Sequence, residues 1–256
     1  MVAVLASVVS CSTVYPLKNV AKRAAEPRTL KRDVHVDTAS RDIGRMQSVA
    51  WVAYAATFEC AKDCTYSDEE RTRLSRDIAE ASFAALDREL RKALGSSNRT
   101  LQNVDETLKT PAFGTAVIEI ESYASKVGRW FERLGLVRAT EATVAARGLK
   151  TVNPNELGWS GEESLSRLGR KLGVDAVAVG HLRITVENGA EGQPSRLVVQ
   201  GPKIWFFSAH AAKSLVVAEL RPGWKLETPS AGALDVVAFD DVAVGFGTRV
   251  AQGLSD

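Results

Sequence analysis

The sequence predicts an α/β (α+β) fold: one mixed β-sheet covered by helices, in a single domain that follows an N-terminal tether. Apolar runs of strand length, SVAWVAYAATFE above all, alternate with stretches whose apolar residues recur every three or four positions. Clusters of Gly, Pro, Asn and Asp punctuate them. At 256 residues, 45% hydrophobic and 25% charged, the chain can bury one sizeable core, and the order of elements suits a sheet layered with helices.

Residues 12–45 carry two prolines and no sustained period, so they read as the tether, with at most short structure. Eight bases stand there against four acids, although the net charge of the chain is only +2. Such an arm suits anionic lipid head groups, and equally a solvated linker. The body is expected over 46–256. Ser48–Glu59, apolar on both faces, reads as a central strand. SDEE then opens a helix, with Ser67 as cap and Glu70 reaching back; Leu74, Ile78, Ala81, Ala85, Leu86 and Leu90 share a face, and Gly95 stops it. GSSNRTLQNVDETLKTPAFG is a polar excursion. Val117, Ile120, Ala124, Val127, Phe131 and Leu134 mark a second helix, and LVRATEATV a short strand. Ser160 with Glu163 caps a third helix, packed through Leu165, Leu168 and Leu172 and ended by Gly173.

The strand that follows is apolar on both faces from Val174 to Val179; beyond Gly180 it alternates, which places His181 on a polar face. NGAEGQP is a turn. SRLVVQGPKIWFFSAHAAKSLVVAELRPGWKLETPS reads as strands broken at Gly-Pro and Pro-Gly. Val242, Phe246, Val250 and Leu254 mark a last helix capped by Asp240, with Gly245 and Gly247 each costing it about 1 kcal/mol relative to Ala. No internal repeat is present.

Residues 1–10 are uncharged, and ten helical residues reach about 15 Å, half of a bilayer's hydrocarbon, so this run does not span a membrane alone. Val8-Val9-Ser10-Cys11 resembles the lipobox of bacterial lipoproteins. The resemblance implies a signal-like segment at 1–11, a diacylglycerol on Cys11, and, because Ser12 rather than Asp follows it, the periplasmic face of the outer membrane. Such signals open on Lys or Arg, and none precedes Cys11, which leaves open a start upstream of Met1. The rival reading folds residues 2–10 as an ordinary strand of a cytosolic binding module. Export would make Cys60 and Cys64 of CAKDC a small disulfide, so that lipidation and one bridge use all three cysteines; without export they are free thiols.

LSRLGRKLGVDAVAVGHL, residues 165–182, is similar to a segment of the curli-secretion-channel lipoprotein family and its flagellar and peptidoglycan-synthase-activating relatives. There a helix ends in Leu-Gly and a small, acidic, aliphatic run leads to a Gly, here Leu172 to Gly180. The resemblance implies a periplasmic domain that binds other envelope proteins, with room for a homo-oligomer, and brings no catalytic residue. A pore-forming relative needs two long hairpins with lipid-facing alternation. The polar excursions here do not alternate, so a tethered soluble domain is expected instead.

Motifs for chemistry are scarce. GWSGEES lacks the spacing of a nucleophile elbow and GFGTRV lacks the third glycine of a dinucleotide fingerprint. CAKDC has no second pair of ligands nearby for zinc. No basic surface interleaved with aromatics suggests nucleic acid. No cofactor, metal or enzymatic activity is expected. The alternative is an envelope hydrolase whose site is built around His181 or His210, with a carboxylate and a nucleophile brought in by the fold; His35 falls in the tether. Trp159, Trp205, Phe206, Phe207 and Trp224 are candidate contact residues wherever they prove exposed, and core residues otherwise.

Overall fold

The computed structural model describes residues 34–37, 41–59, 66–111, 113, 141–148, 159–187, 196–220, 226–228 and 236–255. In chain order the elements are β1 (Val34–Asp37), a 3-10 turn (Arg41–Arg45), β2 (Ser48–Glu59), α1 (Asp68–Ser96), β3 (Thr100–Gln102), α2 (Val104–Lys109) and β4 (Glu141–Gly148). They continue with α3 (Trp159–Leu172), β5 (Ala176–Glu187), β6 (Arg196–Ser208), β7 (Ser214–Leu220), β8 (Leu226–Thr228) and α4 (Val236–Ser255). The strands form one sheet in the order β1-β7-β6-β5-β2-β3; β4 lies along the rest of β2, and β8 along the start of β6. β2 is parallel to β5 and β3, and the other pairings are antiparallel. The fold is therefore α+β with a mixed sheet.

Every β2 side chain from Val49 to Phe58 is buried, as its unbroken apolar run requires. On one face Trp51, Tyr54 and Phe58 pack under α1 and α4, against Ile78, Leu86, Phe239 and Phe246. On the other, Ala50, Val52 and Val177 pack with Leu165 and Leu168 of α3 and with Phe207. The α1 start is the expected capping box: the Glu70 N–H donates to Ser67 Oγ, and the Ser67 N–H donates back to the Glu70 carboxylate. α3 ends at Gly173 in the left-handed region, φ 69°, with Val174 N–H donating to the Gly169 carbonyl and Gly173 N–H to that of Arg170.

Several expectations change. The sheet takes in Val34–Asp37, inside the segment read as tether, with His35 exposed on β1. α1 runs through Gly95 and stops shortly after it, where Asn98 takes φ 55° and completes the same cap geometry through Arg99 N–H to Leu94 O. The polar excursion holds β3 and α2, the latter capped by Asn103, which accepts from the Asp105 N–H at 3.0 Å. β6 is not broken at Gly201-Pro202: a bulge there, with Gly201 at φ 95°, absorbs an extra residue opposite His181–Arg183. α3 begins at Trp159, so Ser160 lies inside it. α4 begins at Val236, so Asp240 is no cap; it accepts from Arg88 Nη2 at 2.7 Å across to α1. Gly247 has a use that outweighs its low helix propensity. A Cβ there would lie 2.9 Å from the Glu89 carbonyl oxygen, so the glycine lets α4 approach the α1 backbone. Among the described residues, no helix is long and apolar enough to cross a membrane.

Candidate functional site

Cys11, Cys60, Cys64, the expected helix over 117–134, the NGAEGQP turn, the Trp159 side chain and Trp224 lie outside the described residues. Trp205, Phe206 and Phe207 are buried in the sheet and are core rather than contact residues. His181, His210 and the segment Leu172–Gly180 lie within the described residues.

Asp175 of that segment is a junction. Its Oδ2 accepts from the Gln47 N–H, the Ser48 N–H and Ser48 Oγ, each at 3.0 Å. Its own N–H donates to Ser48 at 3.1 Å, and its carbonyl accepts from the Ala209 N–H at 2.8 Å. His210 Nε2 lies 3.3 Å from Oδ1. One residue thus ties together the starts of β2 and β5 and the β6–β7 turn. Burial acts to raise the Asp175 pKa, but the donors at Gln47, His210 and Ser48 outweigh it and hold it below the usual carboxylate value. The acid in the resemblance segment has a structural task, and the sequence signal for it is its place immediately before an apolar strand. Asp175→Ala is expected to cost about 2 kcal/mol in urea unfolding, because the β2 N–H groups lose their acceptor; a loss below a few tenths would contradict this role.

The turn at 209–213 is held from α3 as well. Ser166 Oγ donates to the Ser208 carbonyl, Arg170 Nη1 donates to that of Ala209 at 2.8 Å, and a Cβ on Gly169 would meet Ala209 Cβ at 2.8 Å. Between this turn, the 3-10 turn and β7 lies a shallow cleft of about 150 Å³ lined by Asp42, Arg45, Met46, Asp175, His210 and Leu215, among others. It opens at the amino ends of the parallel strands β2 and β5, opposite to the carboxyl ends where ligands gather in open α/β sheets.

His181 is not on an exposed face. It is 6% exposed, with Nε2 2.7 Å from Thr57 Oγ1 on the neighbouring strand. Burial, with a smaller contribution from the Arg183 charge, lowers its pKa to about 4, so the ring is neutral. The two parts of a hydrolytic arrangement are separated. His210 has a carboxylate but no hydroxyl on its ring, and His181 has a hydroxyl but no carboxylate, among the described residues. Six positions along the chain separate Asp175 from His181, roughly 20 Å of extended strand. No cluster of three or more His, Cys, Asp or Glu that could hold a metal ion is found among the described residues.

No protein-family model matches the chain, and no curated protein matches it. Among solved structures it is similar to a dodecamer of a PelC point variant from Paraburkholderia phytofirmans, at TM-score 0.34 and 10% identity over 86% of this chain and 96% of that one.

Proposed function

We propose that the chain is an outer-membrane lipoprotein anchored through Cys11, whose folded body on the periplasmic face binds other proteins of an envelope assembly and performs no chemistry of its own. The observation that carries this reading is the Val8-Val9-Ser10-Cys11 run ahead of a basic segment. An anchor confines the body to a surface and raises its effective concentration for partners held there. The Cys60–Cys64 bridge belongs to the same reading, since the periplasm is oxidising. Binding is preferred to catalysis because neither histidine has both a hydroxyl and a carboxylate among the described residues, and because Asp175 is occupied in joining three elements.

Metabolic labelling with palmitate, in cells expressing the gene from its native start, tests the anchor. Label is expected on the wild-type protein and not on Cys11→Ala, with the variant moving from the membrane fraction to the soluble fraction. A wild-type product that takes up no label rejects the proposal.

A further inference from the structure

β1 is the outer strand of the sheet, and among the described residues no strand pairs with its other side. Four residues fix it, opposite Leu220, Glu219, Ala218 and Val217 of β7. Of its described side chains only Val34 is buried, at 3% exposure; Val36 is half-buried and His35 is exposed. β7 has attachments of its own. Its Leu215, Val216, Ala218 and Leu220 are buried, it pairs with β6 along Lys203–Phe207, and Lys203 Nζ meets Glu219 at 2.7 Å. Beyond β1 the chain is fastened again at the 3-10 turn, by Asp42 to Lys213 at 2.6 Å and by the buried Met46. The strand is thus a short piece with firm attachments after it and the leash before it. Local opening costs least where few apolar side chains are buried and the backbone lies at an edge.

We propose that β1 is a releasable strap: it lifts from β7 while the remaining sheet stays folded, and the bared edge takes an extended segment of a partner protein in its place. The proposal rests on the reading of the body as a leashed protein-binding domain and names its binding edge. A lifted β1 leaves unpaired N–H and C=O groups along β7 residues 217–220, which an added strand satisfies. Directly opposed residues of an antiparallel pair share a face. Val34 and Val36 therefore leave two apolar recesses, beside Leu220 and Ala218, with Glu219 between them on the other face. The segment that fits has branched apolar side chains two positions apart and a polar or basic residue between, where His35 now lies opposite Glu219. The leash joins at Val34, so a pull on it falls on β1 first. Release of the four residues of β1 lengthens the leash by about 13 Å.

The test uses the full chain carrying Cys11→Ala and, as probe, a fluorescein-labelled peptide with the sequence of residues 32–39, RDVHVDTA. Anisotropy should report weak binding to the chain with native β1, because the probe competes with the attached strand. Val34→Asp, which loosens the strap, should tighten binding about 10-fold, since apparent affinity follows the open fraction. Val34→Cys with Leu220→Cys, oxidised to lock the strand to β7, should abolish binding until the lock is reduced, with the chain lacking both changes in the same reductant as comparison. A probe with both valines replaced by Asp should not bind. In hydrogen exchange the β1 amides should open about 100-fold more often than those of β5 and β6. Equal binding by the locked and the reduced double variant overturns the proposal, as does β1 protection equal to that of β6. A concentration-dependent dimer that the lock abolishes also overturns it, by making a second copy the occupant. Co-purification from membranes, with Cys11 in place, separates the two levels of the reading. Envelope proteins retained in undiminished yield by the locked variant overturn the strap and leave protein binding standing, whereas none retained by wild type overturns both.

Discussion

Gly180→Ala is expected to destabilise the fold by about 3 kcal/mol or more, the upper range for adding a methyl group to a packed core. The new Cβ would fall 2.3 Å from Tyr54 Cδ2 and 2.6 Å from Cε2, with Trp51 Cζ3 at 3.4 Å. Neither ring has room to retreat. Both side chains are fully buried, Phe83 packs against each, and the Tyr54 hydroxyl is held by Ser82 Oγ at 2.6 Å on α1. In a domain of this size the loss corresponds to a fall in Tm of roughly 10 °C. Urea unfolding of Gly180→Ala, Tyr54→Leu and the pair checks it. The smaller residue at 54 should recover part of the loss at 180, giving a coupling energy above about 1 kcal/mol. Strict additivity would show that the clash is relieved elsewhere. Gly173→Ala is the comparison for backbone strain alone, since open space surrounds that position while its φ is 69°.

Acidification should weaken the fold well before its carboxylates titrate. The His181 pKa is depressed to about 4 in the folded state, against an ordinary value near 6.5. As pH falls through 6.5 the unfolded chain takes up a proton that the buried ring refuses, so stability falls. The loss begins below about pH 7, grows to about pH 4, and stops once both states are protonated. A gap of some 2.5 pKa units is worth roughly 3 kcal/mol at the acid end of that window. Proton uptake would also put a charge beside Thr57 in a site that is 6% exposed. His181→Asn should be less stable than wild type at neutral pH and should show a flatter profile between pH 7 and 4.5. A wild-type profile already flat over that interval would mean that water reaches the ring.

What the sequence made readable was whatever is local or buried on both sides. The β2 run, the Ser67–Glu70 cap and the Gly173 stop each depend on neighbouring residues alone, and each stands where the pattern put it. The role of Asp240 is not legible locally because its partner, Arg88, is 152 residues away; a Phe-Asp-Asp string offers the same capping chemistry whether or not the helix has already begun. His181 follows the correct alternation, but its face is covered, and Thr57 supplies the partner from another strand. Gly201-Pro202 looked like a break because a proline removes a ladder donor, a cost the bulge avoids. The residues that line the cleft come from three separate parts of the chain, 42–46, 175 and 208–215, so nothing in their local patterns groups them.

The pairing of β1 with β7 sets the radius of the proposed leash. With Val34 already fixed in the sheet, 22 residues, 12–33, separate it from Cys11. Even fully drawn out they span at most about 80 Å. A body held within that hemisphere of its lipid samples a volume equivalent to a concentration on the order of a millimolar, so a surface of only modest affinity would stay largely occupied by any partner fixed in the same patch of membrane.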